Sequence, residues 1–121
     1  MVKLVYCIKK RDDISEAEFH RYWLDEHGPR VRRHASALGA ERYVQSHLLD
    51  SPLNEGLRGS RGMAPAHDGI TELWWSDIEA FQKATTSTEG IAAGADLLED
   101  EGHFIDFAAS TLFLSEEHEI F

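Results

Sequence analysis

Apolar and polar positions along Lys3–Lys9 follow a period of two, with Leu4, Tyr6 and Ile8 on one side and Val5 and Cys7 on the other. That is the pattern of a strand, and because both sides are apolar, both faces are expected to be covered. The pattern then shifts to helical spacing. Ser15 reads as an N-cap, Glu18 as the residue that completes a capping box, and Ile14 as a staple onto Phe19. The helix is expected to run to Glu26 or His27, where Gly28 breaks it; Pro29 then opens a second helical piece through Arg33 to about Leu38. Ala40–Leu49 reads as the second strand, with Tyr43, Gln45 and His47 on one side and Arg42, Val44, Ser46 and Leu48 on the other. Asp50–His67 reads as a long loop rich in Gly and Pro. Ile70–Trp75 is the third strand. Ser76 is expected to cap the next helix with Glu79 at the capping-box position, burying Ile78 and Phe81. The run Thr85–Thr88 interrupts it, a helical piece follows over Glu89–Glu99, and Phe104–Leu114 is the last strand.

The order β-α-β-β-α-β predicts a ferredoxin-like α+β fold: a four-stranded antiparallel sheet with both helices on one face. Val5, Cys7, Trp74 or Trp75, and alternate residues of the last strand supply apolar groups to the other face. An uncovered apolar sheet is an association surface, so the expected assembly is a homodimer with the sheets packed face to face.

One segment stands out chemically. At about 100° per residue, Phe19, Trp23 and His27 drift only about 80° around a helix axis, with Tyr22 beside them. An imidazole that titrates near neutral pH thus sits beside apolar rings, the ordinary construction of a pocket with one polar working group.

Composition narrows the reading. At 121 residues with 42% apolar and 28% charged side chains, the chain is expected to be a single domain, residues 1–121, of ordinary globular composition. No apolar run approaches the ~18 residues of a membrane span. The first ten residues read as a strand and not a signal peptide. One cysteine, Cys7, excludes an internal disulfide and fits a cytoplasmic location. The net charge of −10 is concentrated beyond residue 61, where Lys83 stands against thirteen acids. That field argues against nucleic acid and anionic membrane as partners. Arg30, Arg32 and Arg33 cluster, and the simpler reading is a solvated face that balances those acids.

The chain resembles the EthD family of the dimeric α/β-barrel superfamily. The resemblance is carried by Phe19-x-x-Tyr22-Trp23-x-x-x-His27-x-Pro29, by Glu72-Leu73-Trp74-Trp75 with Phe81 after it, and by Asp100-Glu101-x-x-Phe104-Ile105-Asp106 leading to Leu114-Ser115-Glu116-Glu117. His103 stands where the family pattern leads one to expect a small or polar residue. The resemblance implies a dimeric α/β barrel, and activities ranging from decarboxylation and dehydration of aromatic polyketides to accessory roles in degradation pathways. Wider relatives include cofactor-free monooxygenases, isomerases, cyclases and haem-degrading enzymes. Fold alone does not choose among them.

His27 is the leading catalytic candidate. The helix C-terminus favours its charged form and apolar neighbours favour the neutral one, a balance that suits a general base. Tyr22 is a candidate hydroxyl donor. Phe19, Trp23 and Phe81 are candidates to shape the substrate pocket, with Tyr6 and Tyr43 reaching it from the strands; Trp23 also reads as core. Asp106 reads as structural. His20, His27 and His34 recur every seven residues, but at about 10.5 Å per step they cannot converge on one metal ion. The expected protein is therefore an enzyme of lyase or isomerase type without metal or organic cofactor, acting on a small apolar, aromatic or polyketide-like molecule. The alternatives are a cofactor-independent monooxygenase and a non-catalytic binding protein.

Overall fold

The computed structural model describes residues 1–121. Strands β1 (Val2–Ile8), β2 (Arg42–His47), β3 (Gly69–Trp75) and β4 (Thr111–Glu116) form one antiparallel sheet in the order β2-β3-β1-β4. Helices follow β1 and β3, which gives the ferredoxin-like arrangement. Register assigns the faces. Leu4 lies opposite both Leu73 and Leu114, and Tyr6 opposite Thr71 and Leu112, so Leu4, Tyr6, Ile8, Thr71, Leu73, Trp75, Tyr43 and Gln45 share the face under the helices. Val5, Cys7, Val44, Ile70, Trp74 and Phe113 share the other, which no element of this chain covers.

Between β1 and β2 runs a nearly continuous helical rod: α1 (Glu16–Tyr22), a π-helical turn (Trp23–His27), α2 (Gly28–Arg33) and α3 (Ala35–Leu38). Ser15 caps it as expected, its Oγ accepting from Glu18 N–H at 3.1 Å. The capping box does not close, because the Glu18 carboxylate pairs with Arg21 instead (2.6 and 2.8 Å). Nor does Gly28 break the helix: its backbone is right-handed helical, and the real stop is Gly39 at φ 63°. Pro29 lacks an N–H, and in a straight α-helix its ring would strike the carbonyl four residues back. The wider turn relieves that clash while Gly28 N–H bonds Trp23 O.

Other boundaries move for local reasons. The expected loop after β2 contains a short helix, α4 (Leu53–Gly59). Asp77, not Ser76, caps α5 (Ile78–Thr86), its carboxylate accepting from Ala80 N–H at 2.8 Å, and the one-residue shift leaves Ile78 exposed while Phe81 packs edge-on to Trp75. Ser87 starts α6 (Thr88–Glu101), longer at both ends than expected. β4 begins at Thr111, not Phe104. Phe104 and Ile105 are buried in the core, and Asp106 caps a 3-10 turn over Phe107–Ala109 that precedes the strand. The centre of the core is Ile8, Phe19, Trp23, Phe104 and Ile105. At about 1.5–3 kcal/mol for each large apolar side chain buried, this cluster fixes the π turn against α6 and the sheet.

Candidate active site

The π turn, α6 and the helix-facing side of the sheet enclose a cavity of about 470 Å³. Most of its wall is aliphatic or aromatic; the imidazole, carboxyl and hydroxyl groups in it are those of His27, Glu101, Tyr6, Tyr43, Thr71 and Thr85.

His27 closes the π turn and is 5% exposed. A π turn rotates each residue through less than the α-helical angle, so His27 does not drift past the face of Phe19 and Trp23; its ring lies 5.0 Å from that of Phe104. Its Nδ1–H donates to Asp100 Oδ2 at 2.6 Å, which fixes the tautomer and leaves Nε2 as the free lone pair. Burial pushes the His27 pKa below the ordinary histidine value, and the Asp100 bond opposes this without reversing it. The ring is therefore neutral at pH 7.

Asp100, on the last turn of α6, is 3% exposed. Burial pushes its carboxyl up. The Tyr22 hydroxyl, which donates to Oδ1 at 2.5 Å, the His27 bond and the nearby Arg30 guanidinium at 3.6 Å outweigh it, so Asp100 sits below the usual carboxylate range. His103 lies on the outer side of this group, its Nδ1 3.2 Å from the Tyr22 hydroxyl. Arg30 itself pairs with Asp96 at 2.9 Å, so part of the arginine cluster does balance acids of the C-terminal half.

Glu101 follows Asp100 but turns to the opposite side, into the cavity. It has Tyr6 as neighbour, and burial pushes its carboxyl up to about 7.

A second network holds the π turn from the sheet. Gln45 Nε2 donates to Trp23 O (2.8 Å) and to the Tyr43 hydroxyl (2.9 Å). Its Oε1 therefore accepts from His47 Nε2–H (2.8 Å), which leaves His47 Nδ1 to accept from His20 Nδ1–H at 2.8 Å. A Cβ on residue 28 would lie 3.3 Å from Gln45 Nε2, so glycine there admits the amide to the helix backbone.

Of the predicted site residues, His27, Trp23, Tyr6, Tyr43 and Phe81 do line one cavity. Phe19 and Tyr22 do not. Phe19 is completely buried against Trp23 and Phe104, and the Tyr22 hydroxyl is spent on Asp100, behind His27 as seen from the cavity. The partners that sequence reasoning missed are Asp100 and Glu101, which stand among the acids of an acidic helix; the one signal was their place in the motif Asp100-Glu101-x-x-Phe104. His20, His27 and His34 go to three different partners, His47, Asp100 and Asp96.

A family model described as the EthD domain matches residues 11–108. The chain belongs to the EthD family. Among solved structures it is similar to an EthD family protein of Bacillus halodurans, at 23% identity and a TM-score of 0.63 over 98% of this chain and 99% of that one. A dimeric protein of unknown function and ferredoxin-like fold from Bacteroides fragilis follows at 12% identity and 0.60, over 96% and 95%. SnoaB of Streptomyces nogalater, a cofactor-independent oxygenase, matches at 14% identity and 0.56, over 98% and 93%. No curated protein matches the sequence. These likenesses carry the fold, and Trp23 and His27, two of the residues on which the sequence resemblance rests, fall in the cavity wall described above.

Proposed function

We propose that this protein is a cofactor-free enzyme of lyase or isomerase type, with His27 Nε2 as general base toward a small aromatic or polyketide-like substrate. One observation carries the reading: a neutral imidazole, its tautomer fixed by a buried carboxylate, lines a mainly apolar cavity large enough for a fused-ring molecule. Proton abstraction next to a carbonyl needs such a base and a shaped apolar pocket. Asp100 orients the imidazole and stabilises the imidazolium that forms, and Tyr22 holds Asp100. Tyr22 is thus a positioning residue.

His27→Ala is expected to lower turnover of an aromatic ketone substrate by about 10²–10⁴-fold with the fold intact. Turnover unchanged in that variant overturns the base role. The likeness to a cofactor-independent oxygenase supports a second reading, in which the same base forms a carbanion that meets dioxygen. Stoichiometric oxygen uptake during turnover selects it.

The open face of the sheet supports a homodimer packed face to face, in line with the dimeric relative. Phe113 is 50% and Ile70 37% exposed there. The face is not purely apolar: Lys3 pairs with Glu72 at 2.8 Å, and Lys3 and Arg42 lie over the Trp74 ring.

A further inference from the structure

We propose that Glu101 is the second catalytic residue of this site, a general acid that protonates the carbonyl oxygen of a bound aryl ketone while His27 takes the α-proton. The inference rests on the base reading of His27 and adds to it a donor and a substrate orientation.

Successive residues of a helix point about 100° apart. Asp100 therefore meets His27, while Glu101, next in sequence, enters the cavity toward β1. It is the one carboxyl in the cavity wall, and no Lys or Arg lines the cavity with it. The titratable groups around it are Tyr6 from β1, Tyr43 from β2, His27 from the π turn and Asp100 on its own helix; none is a cation at pH 7. The partial burial of Glu101 and the neighbouring Asp100 charge, with no cation to offset them and only the Tyr6 hydroxyl opposing, push its pKa up to about 7. Between the His27 pKa and about pH 7 the protein thus holds a neutral acid and a neutral base in one mainly apolar chamber. Such a pair is what enolisation uses, because charge then develops on both groups only in the transition state.

The step balances without a co-reactant. His27 Nε2 removes the proton α to the carbonyl, and the C–H electron pair becomes the C=C bond. The carbonyl π pair moves to oxygen, which takes the Glu101 proton. The result is an enol, an imidazolium and a carboxylate. Return of both protons, at the same carbon or at another, restores the site.

The bicyclic aryl ketone 1-tetralone serves as the probe, with two readouts: its affinity at pH 6 and pH 9, and deuterium exchange of its C2 protons in D2O by NMR. Wild-type affinity is expected to weaken about tenfold or more as Glu101 ionises, since a carboxylate cannot donate to the ketone oxygen. Glu101→Gln, which keeps the shape and a donor, is expected to bind equally at both pH values yet exchange about 10²-fold more slowly. Equal wild-type affinity at pH 6 and pH 9, or exchange by Glu101→Gln at the wild-type rate, overturns the proposal. His27→Ala separates the two readings: it should lose exchange and keep the pH dependence of binding. Exchange at the wild-type rate in His27→Ala overturns the base reading instead, and failure of the ketone to bind wild type at millimolar concentration overturns both.

Discussion

Adjacent carboxyls at the end of α6 have opposite fates. Asp100 is held ionised by Tyr22, His27 and Arg30, against its burial; Glu101, half-buried without a cation, is pushed up to about 7. The difference follows from direction, since one residue faces its partners on the helical rod and the other faces the cavity, and the Asp100 charge adds to the upward push on Glu101. Because the proposed base is the neutral form of His27, activity is expected to fall as pH drops through its pKa, which lies below 6.5. Asp100 raises that pKa, so Asp100→Asn should move the acid limb of the pH–rate profile to still lower pH. It should also cost about 10²–10⁴-fold in rate, because an amide can bond either tautomer of the ring. A rate loss with an unmoved acid limb would give Asp100 a purely structural role. At this scale the place of His27 beside aromatic rings in a cavity wall was legible from helical spacing, but the helix end expected there is absent, since the rod continues to Gly39. Its partner was not, because 73 residues separate His27 from Asp100 and no local spacing marks a contact of that range.

At the scale of elements, the strand order, the Ser15 cap and the alternation of β1 and β2 were legible, because each rests on near-neighbour patterns. The π turn was not. Gly28-Pro29 reads as a helix stop, and what carries the helix across it is tertiary: the Gln45 amide on Trp23 O, and Trp23 itself seated on the sheet. The start of β4 was missed for a related reason. Phe104 and Ile105 carry a strand-like apolar pattern, but they fill the core at a turn. Gly69 shows how tightly the turn is seated, since a Cβ there would lie 2.3 Å from Trp23 Cζ3. Gly69→Ala is therefore expected to destabilise the protein by about 2–3 kcal/mol in denaturant unfolding. Trp23→Phe in the same chain should recover part of that loss, as a double-mutant cycle measures. Strict additivity of the two substitutions would mean that the ring and Gly69 are not in contact.

At the scale of the molecule, no helix is long and apolar enough to cross a membrane, and the open face of the sheet exposes Phe113 and Ile70. Face-to-face pairing would cover Phe113, Ile70 and Val5 and leave the His27 cavity on the helix side of each sheet. Sedimentation is expected to show a dimer at micromolar concentration, and Phe113→Glu a monomer with an unchanged near-ultraviolet spectrum. A wild-type monomer would contradict the pairing. Whatever the assembly, the proposed base role rests on one state of His27: neutral, protonated on Nδ1 and open at Nε2. Nitrogen-15 NMR of the histidine rings reads that state without any substrate. At pH 7 the His27 Nδ1 signal should be that of an N–H nitrogen and Nε2 that of a bare one, with Asp100→Asn abolishing the preference. An imidazolium at pH 7, or a proton on Nε2, would contradict His27 as the base of this site.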